Sequence, residues 1–503
     1  MAVLKCLTSL PALILLVLTM TAAFDINDPK TNIDSLVRVI GSSNSEDVGV
    51  LYGNGTVYGR QPSQKLKKLF YFEGFNVGRK VYTGNGYLSL TREVFVYRDI
   101  ITGEIIYIWH NVYSQQSNEI FHVHNDPVDM NFTYGVEVVP TVRFPEQEFG
   151  FTSDILLQYP NLLDPVHYKE FSAGPLYQAD ELFQYFSDYD VLTTTNISSL
   201  NMTGAWFRRA QYLPWMQMGD TPGHLYYQTS NWKCLNGLKD LSEDLYQFVE
   251  SNFPEFFEPP NEFDPIPETT WQVIKDVIDS RRKQGLPDII LPTVNITKRV
   301  TPKANSLDPR VKPLFTKDCT NVFFNGSIYS EITGRQSIEL MKLTGTFRAS
   351  AFNSVLPDIF LNVKVSGVFR DPITLKELQY FHNPFTNATV SVPKFTGERE
   401  GIFKKDDVFS ISVPHLEKVS VQAKTSHTTH LPDNGSEIWS VDMLTLFFKE
   451  CDLDKQNPYF YGTWARFTSW LDWMGMDGID GNLVWRMSIN RVTPQPGDPT
   501  CQQ

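Results

Sequence analysis

The chain of 503 residues carries a formal net charge of −13, with 42% hydrophobic and 13% aromatic residues. That acidic balance excludes nucleic-acid binding, which needs a basic footprint, and the apolar content supplies cores that disordered chains lack. The acidic residues are dispersed rather than run together, so solubility is their simplest role.

Residues 1–23, MAVLKCLTSLPALILLVLTMTAA, set a lysine before an apolar run and end on Ala22 and Ala23. This is the pattern of a secretory signal peptide, whose apolar run is too short to span a bilayer. The expectation is a secreted, extracellular protein without a membrane span. The carboxy-terminal PQPGDPTCQQ has no hydrophobic tail, so no lipid anchor is expected either. Eight Asn-x-Ser/Thr sequons, at Asn54, Asn131, Asn196, Asn201, Asn295, Asn325, Asn387 and Asn434, agree with a glycoprotein. Cys234, Cys319, Cys451 and Cys501 remain after the leader; in an oxidising compartment they favour disulfides, Cys234 with Cys319 and Cys451 with Cys501.

The first long segment reads as β. GYLSLTREVFVYRD (86–99), TGEIIYIWHNVY (102–113) and NEIFHVH (118–124) are rich in Val, Ile, Tyr and Phe, and are broken by the turns RDIITGE and YSQQSN. DELFQYFSDYDVLTT, TGAWFRRAQYLPW and GHLYYQTSNW continue the series to residue 232. Two amphipathic helices follow, over 238–253 and 268–283, the second starting at Thr269 or Thr270. HTTH at 427–430 reads as a solvated loop.

The chain then repeats itself. NGTVYGRQPSQKLKKLFYFEG (54–74) aligns with NGSIYSEITGRQSIELMKLTG (325–345), and RDIITGEIIYIWHN (98–111) with RDPITLKELQYFHN (370–383). GAWFRRAQYLPWMQMGDTPGHLYY (204–227) matches GTWARFTSWLDWMGMDGIDGNLVW (462–485) at nine of twenty-four positions. Three blocks in one order mean a duplicated domain. The expected organisation is a signal peptide at 1–23, a first β-barrel domain with its helical segment at 24–290, a linker at 291–316 and a second barrel at 317–503. The expected fold is mainly β, two tandem antiparallel lipocalin-like barrels, because closure removes exposed strand edges.

Several pieces of the first copy carry a resemblance: TGE at 102–104, WHN at 109–111, HVHNDPV at 122–128, YLPWMQMGDTPGHLYY at 212–227 and EPPNEFDPIPETTW at 258–271. Over roughly residues 45–285 the chain resembles the domain-of-unknown-function 1838 family, single-copy proteins of bacteria and fungi. The resemblance implies the fold and no settled activity.

Two groups of residues could carry chemistry. His122, His124 and Asp126 alternate along a strand and so share a face; with His110 they form a candidate metal or acid–base site. Against this, Phe121 and Val123 alternate with them, and if those two point into the barrel the histidines point away. His122 and His124 map to Lys394 and Thr396 in the second copy, so any such site exists once. Trp206, Arg208 and Trp215 recur as Trp464, Arg466 and Trp473: large aromatics at matched positions fill a core or floor a ligand pocket. A buried guanidinium needs a partner. Arg98-Asp99 and Arg370-Asp371 read as turn residues. No nucleophile elbow, phosphate loop or dinucleotide fingerprint occurs, and no cofactor is assigned. Three functions stay open: a carrier of a small apolar or aromatic ligand, a structural protein of an extracellular or mineralised matrix, and a lyase, isomerase or oxygenase using the first barrel's histidines.

Overall fold

The computed structural model describes residues 25–492 apart from 26, 126–127, 137, 147, 195, 265–268, 290–319, 354–358, 404–407, 431–436 and 456–457. In the first half, β1 (Val48–Arg60), β2 (Lys67–Tyr82) and β3 (Gly86–Arg98) form a meander. Short strands follow: β4 (Ile108–His110), β5 (Ser117–Glu119), β6 (Val123–Asn125), β7 (Met130–Thr133) and β8 (Thr141–Arg143). A second meander comprises β9 (Glu148–Pro160), β10 (Leu176–Asp188), β11 (Thr203–Ala210) and β12 (His224–Lys233).

The second half repeats the plan. It holds β13 (Thr320–Glu331), β14 (Glu339–Asn353), β15 (Ile359–Arg370), β16 (Tyr380–His382), β17 (Thr389–Ser391) and β18 (Phe395–Phe403). It ends with β19 (Val408–Val413), β20 (Lys418–His430), β21 (Glu437–Lys449), β22 (Tyr461–Thr468) and β23 (Asn482–Arg491).

The sheet orders are β6-β3-β2-β1-β12-β11-β10-β9-β8 and β18-β15-β14-β13-β23-β22-β21-β20-β19, one topology used twice. Every ladder is antiparallel, and the first strand of each half pairs with its last. The β4–β5 hairpin has its counterpart in β16–β17. HTTH lies on β20, with Thr428 opposite Trp439, rather than in a loop; the strand's ladder to β21 outweighs its polar composition.

The expected closed barrels are not found. Each sheet stops at β6 and β8, or at β18 and β19, without a ladder across the seam. In the first half a helix unforeseen in the sequence occupies that seam. Helix α1 (Pro29–Ile40) starts with Pro29 at its first position, and Asp28 accepts from Thr31 N at 2.8 Å. It sets Ile33 and Val37 against Tyr87 of β3, and Leu36 and Val39 against Phe149 and Phe151 of β9. A helix buries apolar area there that closing strands would otherwise bury, so closure is not required.

Two further helices dress the first sheet. Helix α2 (Glu243–Asn252) lays Leu245, Phe248 and Val249 on the outer face made by Val50, Phe75, Val77, Val94 and Val96. Helix α3 (Thr270–Lys283) is capped by Thr269, whose hydroxyl accepts from Gln272 N at 3.3 Å. It drives Trp271, Ile274 and Ile278 into the inner core. Arg98, at the end of β3, holds Glu73 at 2.5 Å and Asp244 of α2 at 2.5 Å. Asp99 and Asp371 are the turn residues expected: each carboxylate accepts from two backbone amides of its own turn.

Strands β10–β12 are buried on both faces because the two halves pack outer face to outer face. Tyr58, Phe186, Phe207 and Tyr226 meet Phe447, Tyr461, Phe467 and Val484. The arrangement is near two-fold: Thr203 Oγ1 on β11 lies 3.4 Å from the hydroxyl of Tyr461, its own counterpart on β22. Buried amides stitch the interface, Gln228 donating to Leu444 O at 2.7 Å and Gln422 to Asn54 O at 2.9 Å.

Cys234 is buried and Cys451 exposed. Cys319 and Cys501, their expected partners, lie outside the described residues, and no disulfide joins described cysteines. Asn131, Asn196, Asn201, Asn325 and Asn387 are exposed, whereas Asn54 is half-buried in mid-strand and donates to Tyr52. Asn295 and Asn434 fall outside the description. Among the described residues no helix is long and apolar enough to cross a membrane.

Candidate functional site

The inner face of the first sheet gathers the aromatic and charged residues that repeat. Alternation along β11 sends Trp206 and Arg208 to this face. The ladders set Glu181 of β10 and Tyr227 of β12 directly beside Arg208. Arg208 Nη1 lies 2.7 Å from Glu181 Oε1, and Nη2 donates to the Tyr177 hydroxyl. The guanidinium sits over the rings of Tyr227 at 5.8 Å and Tyr177 at 6.0 Å. Burial alone would lower the Arg208 pKa, but Tyr177, Glu181 and Tyr227 outweigh it and hold the group well above its usual value. Burial also raises Glu181, with Arg208 opposing.

Trp206 extends the wall, its ring 5.5 Å from Tyr227, 6.0 Å from Phe72 and 6.2 Å from Phe183. The Arg208 side chain keeps 20% of its exposure, and Tyr159, Phe183 and Tyr185 are half-buried, so this face is not sealed.

The same unit stands in the second half. Asp442 and Trp485 flank Arg466 on their ladders. Trp464 Nε1 donates to Asp442 Oδ1 at 2.8 Å, and Arg466 lies 3.7 Å from that oxygen and 4.9 Å above Trp485. Tryptophan, acid, arginine and aromatic thus recur as a set. The phenols do not: Tyr97, Tyr159, Tyr177 and Tyr227 correspond to Phe369, Thr429, Ile438 and Trp485.

Trp215 and Trp473 sit apart from this unit. Trp215 is fully buried against Phe70, Tyr97 and Trp109, with centroids 5.3–6.0 Å apart. Trp473 is half-buried against Phe369 and Phe381. Both fill space between a 3-10 turn and a small hairpin, which makes them core residues rather than pocket residues.

The three histidines do not form one cluster. His110 is exposed on the β4–β5 hairpin, while Asp126 lies outside the described residues. Phe121 and Val123 do pack on the inner core, so His122 and His124 face the helical layer outside. His122 is buried against Phe248 at 5.0 Å, and His124 stacks on Phe253 at 4.5 Å. His122 Nδ1 accepts from Tyr97 N at 3.2 Å, which commits its lone pair to the backbone and leaves the proton on Nε2. A neutral imidazole in that state offers a metal nothing. Among the described residues no three His, Cys, Asp or Glu side chains gather as a metal site.

Burial pushes His122 down to about 3, well below the ordinary value of 6.5. The unfolded chain therefore takes up the proton first, and stability falls as pH drops from 6.5 towards about 3. Urea midpoints measured from pH 7 to pH 4 should decline less steeply in His122→Asn, whose amide oxygen can still accept from Tyr97. Equal slopes would remove His122 as a source of acid sensitivity.

The sequence pointed to Trp206, Arg208 and their counterparts but missed Glu181, Asp442 and Tyr177. The only signal for them was that a repeated, buried arginine requires an acid. Which acid depends on strand register, which sequence spacing did not reveal.

A family model described as "Protein of unknown function (DUF1838)" matches residues 47–278 and again 318–497. Comparison with curated proteins gives no match. Among solved structures, the chain is similar at 7% identity to Salmonella typhi OmpF in complex with daunomycin, over 89% of this chain and 98% of that one, with a TM-score of 0.14. Acinetobacter baumannii OccAB4 gives 5% identity, 89% and 97% coverage and a TM-score of 0.18. A putative AttH from Nitrosomonas europaea gives 8%, 90%, 94% and 0.14. At such scores these likenesses carry no argument about fold or function.

Proposed function

Because the chain belongs to the DUF1838 family through both of its halves, we propose that it is a secreted, glycosylated binding protein whose first half holds a small apolar or aromatic ligand. The ligand lies on the inner face of the first sheet, in a lipocalin-like manner, against Trp206, Phe183 and Tyr185. The paired Arg208 and Glu181 orient its polar substituent. One observation carries this reading: an unsealed aromatic wall, with half-buried Tyr159, Phe183 and Tyr185, surrounds an arginine fixed by Glu181 and Tyr177. Apolar walls with a few fixed polar groups are what small-molecule sites require.

The test is titration of the secreted protein with an anilinonaphthalene sulfonate dye. Saturable binding is expected, weakened about tenfold by Trp206→Ala and less than about twofold by Trp464→Ala. Absence of saturable binding, or equal loss in both variants, would reject the inner face of the first half as the site.

A further inference from the structure

A cleft of about 480 Å³ opens where the two halves meet, and neither half forms it alone. The first contributes Arg60, Arg209 and His224; the second contributes Glu331, Glu437 and Trp439. Its walls are counterpart rungs. Arg60 pairs with His224 at the end of the β1–β12 ladder, as Glu331 pairs with Asn482 at the end of β13–β23. Part of the first wall, Asp220 to His224, lies in the YLPWMQMGDTPGHLYY stretch.

The charges inside are already matched. Arg209 is ion-paired with Glu331, which also accepts from Asn482 at 2.7 Å and Gln178 at 3.3 Å. Arg60 is ion-paired with Glu437, which accepts from Ser63 N at 2.6 Å, and its guanidinium stacks on Trp439 at 4.8 Å. Exposed Asp220 and Asp480 add two further carboxylates at the cleft. Two guanidinium groups against four carboxylates repel a phosphate or carboxylate ligand.

Arg209 Nη2, which can only donate, lies 2.9 Å from Nε2 of His224 and 3.4 Å from its Nδ1. Burial, with Arg209 and Arg60 nearby, depresses its basicity well below the ordinary range. The other polar lining groups are the carboxamides of Gln178, Gln211 and Asn482 and the hydroxyls of Thr221, Thr333 and Tyr212, the last donating to Arg60 O at 3.3 Å. Gln178 and Asn482 already donate to Glu331, whereas Gln211, Thr221 and Thr333 can each donate and accept at once, as can every hydroxyl of a sugar. Trp439 is half-buried with Arg60 over one face of its ring, so a pyranose C–H face can meet only the ring surface that the guanidinium leaves uncovered.

We propose that this inter-half cleft binds a neutral saccharide, held by paired donor–acceptor groups from both halves and by Trp439. The volume suits one or two sugar rings. The site is distinct from the inner face of the first sheet, so each stands or falls by its own experiment.

Methyl glycosides of glucose, mannose, galactose and N-acetylglucosamine, with glucuronate and glucosamine as charged comparators, are titrated against the secreted full-length protein by calorimetry. At least one neutral glycoside should bind saturably in the millimolar range, glucuronate about tenfold more weakly or not at all. Trp439→Ala should weaken the neutral sugar about fivefold or more, and Gln211→Ala should do so independently of any folding defect at the tryptophan. Trp206→Ala should leave it unchanged. No saturation by any neutral sugar up to about 50 mM would overturn the proposal. So would binding of glucosamine alone, which marks a cation site, or loss of binding only in Trp206→Ala.

Discussion

Replacing Lys449 with glutamate is expected to destabilise the molecule by about 3 kcal/mol or more, a fall in melting temperature of roughly 3 °C or more. The reason lies in two rungs that face each other across the interface. Glu148 pairs with Asp188 at the end of the β9–β10 ladder, and Lys418 with Lys449 at the matching rung of β20–β21. Like charges directly opposite on neighbouring strands repel. Each rung is tolerable because the other relieves it. Lys449 Nζ lies 3.0 Å from Glu148, whose side chain is fully buried, and Asp188 acts on both lysines. Burial raises the Glu148 pKa while Lys449 opposes it. Lys449→Glu would gather three acids at that point.

The exchange Glu148→Lys with Lys449→Glu should recover more than half of the lost melting temperature. If the double variant is no more stable than Lys449→Glu, the cross-interface pairing does not explain the loss. Together with Arg60 and Glu331, three sets of counterpart positions carry opposite charge in the two halves: Arg60 and Glu331, Glu148 and Lys418, Asp188 and Lys449. Two identical halves could not satisfy those rungs, so the interface favours one half pairing with the other.

The second large effect concerns the repeated His-Asn pair. Asn111→Ala should cost about 3 kcal/mol, while His110→Ala should stay within about 0.5 kcal/mol. Asn111 is fully buried; its amide donates to Met216 O at 2.9 Å, and its carbonyl accepts from Tyr113 N and Ser114 N. Asn383 makes the same bonds to Met474 O, Phe385 N and Thr386 N. Removing the side chain strands the buried Met216 carbonyl and takes the turn's acceptor from the amides of Tyr113 and Ser114. His110 and His382 are exposed beside them. Chemical denaturation of the two single variants decides the matter, and a comparable loss in both would contradict this assignment.

That pair shows how the sequence can be right about position and silent about cause. The recurrence of His and Asn in both halves marked a constrained place, and the constrained member is the asparagine. Similarly, recurrence singled out Trp206, Arg208 and Trp215 together, although they do two jobs. Trp206 and Arg208 line an open face, while Trp215 fills a core between a turn and a hairpin. Alternation correctly set Phe121 and Val123 against His122 and His124, but which pair faced inward needed the sheet's neighbours.

What the sequence by itself determined is the duplication, the predominance of β-strands and the matched positions, because these follow from local patterning and self-similarity. What only the tertiary structure decided is where the sheets stop, which acid serves each arginine, and which surfaces of the two halves meet. Those outcomes depend on residues far apart in the chain, such as α1 filling a seam or Glu148 meeting Lys449. Strand register and facing surfaces, set by the burial of whole elements, bring such residues together.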